Sequence, residues 1–201
     1  MPAAAFFYAL RLRRHDNCIE RRVLWKTAQG LLWVVGILCL GYYAELTVKA
    51  KWSQGQGARE LEHSTISTAP SLGDVVGRIE IPRLNLSTVV FEGADDGVLE
   101  RGAGHLPGSA LPGNRGNIVL AAHRDTFFRP LRGIRVGDQV KIHQPSGDSV
   151  YIVKSAWIVD PDQVDVLKPT AEPALTLITC YPFRYIGPAP ERFVVRAVLA
   201  P

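Results

Sequence analysis

Residues 175–183 read LTLITCYPF, an apolar, threonine-bearing run that is typical of a β-strand and ends on a cysteine. Pro182 cannot donate to the ladder of a central strand, so the strand is expected to end before it. Cys180 is thereby predicted at a strand end, where a side chain can face a cleft. No other cysteine occurs in the last three quarters of the chain.

Two interpretations of Cys180 are open at this point. Most free cysteines are small buried hydrophobic residues, and Cys180 can be one of them. The alternative is a nucleophile, which requires a histidine and a group that stabilises negative charge elsewhere in the sequence.

Charge is distributed unevenly along the chain, whose net charge is +4. Residues 1–26 contain six Lys and Arg and two Asp and Glu, whereas residues 27–201 contain seventeen of each kind. Nucleic-acid binding usually needs a basic face on the folded domain. Because the part of the chain that can fold is neutral, we expect no nucleic-acid partner.

The basic N-terminus precedes an uncharged segment at residues 27–44. As a helix this segment spans about 27 Å, close to the hydrocarbon thickness of a bilayer. A cleaved signal peptide is an alternative, but the segment is long for one, and a buried globular helix would carry a polar stripe. We predict a single-pass anchor in the cell membrane, with the N-terminus in the cytoplasm and the rest of the chain outside.

The chain is therefore divided into four parts. We predict a basic cytoplasmic tail at 1–26, a transmembrane helix at 27–46, a flexible Ser-, Thr-, Gln- and Gly-rich linker at 47–73 and a folded domain that carries the candidate site at 74–201. In this topology Cys18, Cys39 and Cys180 lie in three different compartments, so no disulfide is expected. An exported domain that keeps one unpaired thiol is unusual, which favours a chemical role for Cys180.

Short apolar runs separated by turn residues follow from Asp74 onward. A short helix is predicted at 95–103, a Gly- and Pro-rich loop at 104–116 and a hairpin turn at 146–148. About eight strands with one or two helical turns indicate an all-β barrel or sandwich. The predicted strands are 76–82, 86–91, 117–122, 139–143, 150–154, 156–159, 175–180 and 193–199.

His123 is the candidate base because it ends an apolar strand, as Cys180 does. Two strand ends at one rim of a barrel can bring a thiol and an imidazole within reach, although a surface histidine that caps a strand is the alternative. The other histidines lie in the tail, the linker, the Gly- and Pro-rich loop and an alternating strand, and they are His15, His63, His105 and His143.

Arg192 is the candidate for stabilising an oxyanion. It immediately precedes the last predicted strand, and in an antiparallel pair the start of one strand lies beside the end of the preceding one. Arg196 shares its face but lies roughly 13 Å further along the strand, and Arg184 lies in the connecting loop. The alternative for each is a solvated charge, the usual state of arginine.

These residues together resemble a sortase. The stretches that carry the resemblance are TLITCYPF at 176–183, AHRDTFF at 122–128 and RFVV at 192–195, and the similarity is greatest to the class D branch. The resemblance covers roughly residues 74–200. One departure is Ala122, which stands where sortases commonly have a glycine before the histidine.

The resemblance implies an eight-stranded β-barrel and a cysteine transpeptidase. Cys180 is then expected to cleave an LPxTG-like sorting signal between Thr and Gly and to form a thioacyl-enzyme. His123 is expected to protonate the leaving amine and later deprotonate the incoming one, while Arg192 holds the oxyanion. The implied partners are secreted proteins with a C-terminal sorting signal and an amine acceptor on the cell envelope or a pilin.

Residues 160–173 resemble the segment that lines the substrate groove in sortases. Class A members carry a calcium site, but this sequence has no comparable carboxylate cluster, so we expect neither a metal nor another cofactor. A cysteine peptidase that uses water, and a membrane-anchored β-domain without catalysis, are the alternatives. A metal site on Cys180 lacks a second cysteine or a close histidine.

Overall fold

The computed structural model describes residues 25–45, 48, 52, 55 and 70–201. The chain forms two compact units, Met1–Val48 and Lys49–Pro201. Most of the predicted tail and linker, with His15, Cys18 and His63, lies outside the described residues. In the first unit, helix α1 (Trp25–Glu45) is long and apolar enough to cross a membrane.

Eight strands form a closed barrel in the described part of the second unit. The order around the barrel is β1, β2, β3, β4, β7, β8, β6 and β5, and β5 pairs back with β1. A short helix, α2 (Asp96–Leu99), lies between β2 and β3. The predicted eight-stranded barrel is confirmed, and its strands are β1 (Val75–Ile81), β2 (Leu86–Glu92), β3 (Ala103–His105), β4 (Asn117–Ala121), β5 (Gln139–His143), β6 (Ser149–Val159), β7 (Ala174–Tyr181) and β8 (Glu191–Leu199).

Strand direction brings two strand ends to the same rim. β4 and β7 are neighbours that run parallel, with Ala121 opposite Ile178. β8 runs antiparallel to β7, so it begins where β7 ends. The residues that follow β4, end β7 and begin β8 are therefore close neighbours at one end of the barrel.

The barrel interior is filled by alternate residues of its strands, as the strand period of two requires. Leu175 and Leu177 of β7 and Val195 and Ala197 of β8 are fully buried in this core. Removing apolar surface of this kind from water is the main stabilising contribution to folding. The rings near the rim also contact each other, with centroids 5.2 to 6.3 Å apart, in a cluster of Tyr181, Phe183 and Phe193.

Two strand predictions are wrong in detail. The segments predicted as separate strands at 150–154 and 156–159 form the single strand β6, whose register with β8 shifts between Val153 and Ser155. The irregularity interrupts the alternation, which explains why the sequence suggests two strands. β3 lies where a helix end and a loop are predicted, because its three residues are too few for a periodic signal.

His105 is not a loop residue as predicted, since it ends β3 and is 1% exposed. Its Nδ1 lies 2.6 Å from Oε2 of the buried Glu92, its strand partner on β2. Its Nε2 lies 3.0 Å from the carbonyl oxygen of Ala110. A Cβ at Gly104 would lie 2.2 Å from the carbonyl oxygen of Gly93, so the close approach of β3 to this segment requires glycine.

Candidate active site

Cys180 lies one residue before the end of β7, at the rim described above. Its thiol is half-buried and free, whereas the free thiol of Cys39 is exposed. Side chains alternate between the two faces of β7, so Cys180 lies on the same face as Ile178. Leu177, which points into the core, lies on the other face. The sulfur is therefore placed on the outer face of the barrel rather than within the core.

His123 follows the end of β4 by two residues, and the parallel register with β7 continues towards it. The amide of Ala122 donates to the carbonyl of Ile178 at 3.3 Å. The hydroxyl of Thr179 donates to the carbonyl of Ala122 at 2.6 Å. With Ala122 tied to residues 178 and 179, His123 comes level with Cys180 on the neighbouring strand.

Arg192 pairs directly with Cys180 across the β7–β8 ladder. Its Nη1 donates to the carbonyl oxygens of Ala189 at 3.2 Å and Glu191 at 2.9 Å. These partners are neutral, and Arg192 forms no ion pair with any carboxylate among the described residues, so its positive charge is not neutralised locally. A cation of this kind at the rim can stabilise an oxyanion.

The hydrogen bonds found around the site involve Thr179 and Arg192 but neither the thiol nor the imidazole. Contacts between a nucleophile and its base often become close only in the substrate complex. Within residues 25–45 and 70–201, no group of three or more His, Cys, Asp or Glu side chains could hold a metal ion. The expectation of no metal stays a prediction.

A pocket of about 130 Å³ lies beside this rim, on the outer face of β7 and β8. Ile178, Val194 and Arg192 form its strand side. The connection between β6 and β7 covers it. That residues 160–173 line a substrate groove stays a prediction. Most of this cover is apolar, and the residues involved are Val159, Asp160, Pro161, Gln163, Val164, Val166 and Leu167.

A buried polar network holds this cover in place. Nδ2 of Asn117 donates to the carbonyls of Val166 and Lys168 at 3.1 and 3.2 Å, and Nη2 of Arg196 donates to Val166 at 3.0 Å. The hydroxyl of Thr176 donates to Oδ1 of Asn117 at 2.6 Å. Burial lowers the pKa of the Arg196 guanidinium. Its hydrogen bond to Val166 places Arg196 in the packing of the cover and not at the rim.

The remaining sequence candidates lie away from the three central residues. Arg196 pairs with Thr176, four residues before Cys180, and Arg184 is exposed in the β7–β8 connection. His143 lies on β5 between two carboxylates, with Nε2 3.1 Å from Glu80 and Nδ1 2.9 Å from Asp148. His143 therefore bonds to residues near its own strand and not to the three central residues.

Three polar residues that support the site are missing from the sequence predictions. Thr179 and Asn117 are buried, and Arg124 contacts the β7–β8 connection. A signal existed for Thr179, because it interrupts an apolar strand with a hydroxyl that needs a partner when buried. Asn117 begins its strand, where a polar residue is ordinary. Arg124 has no comparable signal, since an arginine after a strand is most often solvated.

The sortase domain model matches residues 79–200 of this chain. Sortase D of Bacillus subtilis is 38% identical over 130 residues, which cover 64% of this chain and 66% of that protein. Sortase A of Listeria monocytogenes is 31% identical over 110 residues, which cover 53% of this chain and 49% of that protein. The matches thus span about half of the length of one relative and just under two thirds of the other.

Solved structures agree with the sequence matches. A Clostridium perfringens Sortase D5, described as a transpeptidase, superposes with a TM-score of 0.60 at 28% identity, covering 79% of this chain and 95% of that one. Sortase C1 of Streptococcus agalactiae superposes with a TM-score of 0.59 at 26% identity, covering 79% of this chain and 87% of that one. The expected similarity to class D is confirmed, and the chain belongs to the sortase family of cysteine transpeptidases.

Proposed function

We propose that the chain is a membrane-anchored sortase that cleaves an LPxTG-like sorting signal through a thioacyl-enzyme and transfers the protein to an amine. One observation carries the proposal: neighbouring strands present His123, Cys180 and Arg192 at one rim of the barrel. A sulfur nucleophile, an imidazole and an unneutralised guanidinium are the groups that acyl transfer from a peptide needs.

The proposed reaction has two halves. The Cys180 thiolate attacks the carbonyl carbon of the signal threonine, and the oxyanion that forms is stabilised by the Arg192 guanidinium. The C–N bond to glycine then breaks as His123 gives its proton to the leaving amine. In the second half an amine attacks the thioester, His123 takes the proton from it, and the C–S bond breaks to restore the thiolate.

The pocket beside Cys180 supports a signal with apolar residues before the cleaved bond. Its floor includes Ile178, two residues from the nucleophile on the same face, and its cover is largely apolar. We propose that the Leu and Pro of the signal occupy it, because burying such side chains contributes binding free energy without needing specific polar partners.

Helix α1 supports the proposed anchoring. Its large apolar side chains are exposed, among them Leu31, Leu32, Ile37 and Leu40. We propose that α1 spans the cell membrane with the N-terminus in the cytoplasm, so that the catalytic domain acts outside. Its substrates are then secreted proteins with a C-terminal sorting signal, and its acceptor is an amine of the cell wall or of a pilin lysine.

The proposal is tested with the full-length chain and a fluorescent LPxTG peptide, with and without an added amine. Cys180→Ala is expected to abolish both cleavage and a covalent adduct seen by mass spectrometry, whereas Cys39→Ser, the control thiol, leaves both unchanged. His123→Ala and Arg192→Ala are expected to lower kcat by at least about 100-fold, the usual size of acid–base and oxyanion contributions.

The added amine separates the candidate functions. A sortase yields the peptide–amine product and turns over faster with amine than without. Cleavage that releases only the free acid at an amine-independent rate identifies a cysteine peptidase. Absence of both cleavage and adduct rejects the enzymatic proposal in favour of a non-catalytic β-domain.

A further inference from the structure

Arg124 connects the histidine segment to the loop that joins β7 and β8. It follows His123 directly, and its Nη2 donates to the carbonyl oxygens of Tyr185 at 3.0 Å and Gly187 at 3.1 Å. Its guanidinium carbon lies 5.7 Å from the centroid of the Tyr185 ring. One side chain therefore contacts this loop, residues 182–190, through two hydrogen bonds and an aromatic face.

The same loop contacts Arg192 at its other end. Nη1 of Arg192 donates to the carbonyl oxygen of Ala189 at 3.2 Å. No backbone-to-backbone hydrogen bond joins residues 182–190 to another residue in the described part of the chain. Phe183, near the start of the loop, packs against Tyr181 and Phe193. Beyond Phe183, the hydrogen bonds that hold the loop within the described residues come from arginine side chains, one beside His123 and one opposite Cys180.

The segment between these two contacts is stiff. Gly187 accepts from Arg124 and Ala189 accepts from Arg192, and the residue between them is Pro188, with Pro190 following. Each proline fixes its own φ and restricts the residue before it. Gly187 itself has a φ of +103°, which glycine adopts without strain. A displacement of the Gly187 carbonyl is therefore carried to Ala189 rather than absorbed between them.

We propose that Arg124 is a positioning residue for the transpeptidase reaction: it holds the β7–β8 loop so that the Ala189 carbonyl orients the guanidinium of Arg192 towards the oxyanion. This inference rests on the proposed function, in which Arg192 stabilises the oxyanion. Arg124 itself touches no reacting atom.

The proposal predicts which kinetic constant changes. Arg192 acts on a charge that exists only after attack, so a misplaced guanidinium lowers kcat and leaves KM nearly unchanged. A loop that served only to bind the peptide would instead raise KM. General destabilisation would lower the melting temperature, which is measured separately.

The experiment compares Arg124→Ala with Arg129→Ala in the full-length chain, because Arg129 is an exposed arginine of the same β4–β5 connection. Arg124→Ala is expected to lower kcat about tenfold, within the range that small misplacements cause, and Arg129→Ala to leave it unchanged. Arg124→Lys keeps the charge, but its ammonium ends one bond short of the position of Nη2 and has no planar face for the Tyr185 ring, so it is expected to show part of the loss.

A double-mutant cycle then asks whether Arg124 acts through Arg192. In an Arg192→Lys background, which has already lost the guanidinium, Arg124→Ala is expected to change kcat less than about twofold. Limited proteolysis after Arg184 or Tyr185, both exposed in the loop, should become faster in Arg124→Ala and not in Arg129→Ala, since the loop loses its anchor.

The outcomes separate this inference from the function on which it rests. An active wild-type chain whose kcat is unchanged in Arg124→Ala and Arg124→Lys overturns the inference alone. An equal loss of kcat in the wild-type and Arg192→Lys backgrounds also overturns it, because the free-energy effects of two mutations add when their sites act independently. A wild-type chain that neither cleaves the peptide nor forms the adduct overturns both proposals.

Discussion

Thr179 is the residue that links the two strand ends of the site. It lies between Ile178 and Cys180, but its side chain is buried and its hydroxyl donates to the carbonyl of Ala122 at 2.6 Å. The residue before the proposed nucleophile is thereby bonded to the residue before His123. A hydrogen bond of this kind sets distance as well as contributing stability.

We predict that Thr179→Val lowers kcat about tenfold, because losing this bond lets His123 shift relative to Cys180. The variant also leaves the Ala122 carbonyl buried without its partner, which costs about 1–3 kcal/mol. Thr179→Ser keeps the hydroxyl and is expected to retain most of the activity. Peptide kinetics and thermal unfolding of both variants test this, and full activity in Thr179→Val contradicts it.

At the scale of strands and loops, the sequence predicts the strands that have a local pattern of their own better than those that depend on pairing with a distant segment. β7 and β8 follow from apolar runs bounded by proline and turn residues, and they carry Cys180 and Arg192. β3 was missed because its existence depends on parallel pairing with β2 rather than on its own three residues.

The same distinction separates the expected site residues from the missed ones. The positions of Cys180 and His123 at strand ends can be read locally. Arg124 and Asn117 act through partners 61 to 63 and 49 to 51 residues away. Such contacts exist only once the barrel has closed, so no local pattern in the sequence announces them.

Asn117 allows a test of the β6–β7 connection as a pocket wall. Asn117→Ala removes the donors to Val166 and Lys168 and the acceptor for Thr176. We expect KM for the peptide to rise about fivefold or more with kcat little changed, since a loosened wall weakens binding in the ground and transition states alike. Asn114→Ala, at an exposed asparagine of the β3–β4 connection, is the control; an unchanged KM in Asn117→Ala would reject the role.

At the scale of the whole barrel, a charged pair joins segments far apart in sequence. Arg83, in the turn after β1, forms a two-pronged contact with Asp138, just before β5, and its Nη2 also donates to the Gly133 carbonyl at 2.6 Å. The amide of Arg135 donates to the same carboxylate at 2.8 Å. The hydrogen bonds from Arg83 hold the pKa of the Asp138 carboxyl below its usual value.

This lowered pKa predicts how stability depends on pH. A carboxyl group whose pKa is lower in the folded protein than in the unfolded protein stabilises the fold at pH values above its unfolded-state pKa. This contribution is lost as the pH falls through its folded-state pKa. Asp138→Asn is therefore expected to unfold at a lower temperature than the wild type at neutral pH. The difference in melting temperature should shrink as the pH falls below 3.8, the ordinary pKa of this carboxyl group. Thermal unfolding across this pH range measures the difference, and Asp162→Asn, at an exposed aspartate, is the control. A difference that stays constant down to pH 3 would contradict the assignment.

The division of the chain into two units gives the last prediction. The barrel contains its own apolar core, and α1 exposes its apolar side chains. We expect a fragment of residues 49–201 to be soluble, to unfold cooperatively and to cleave a soluble peptide with kcat/KM within about twofold of the full-length chain, because the proposed catalytic residues all lie in it. The full-length chain should instead sediment with membranes and resist extraction at alkaline pH, as a spanning helix does. Release of the full-length chain under those conditions would exclude α1 as a membrane span, whereas a fragment that fails to fold would show that the barrel depends on residues outside it.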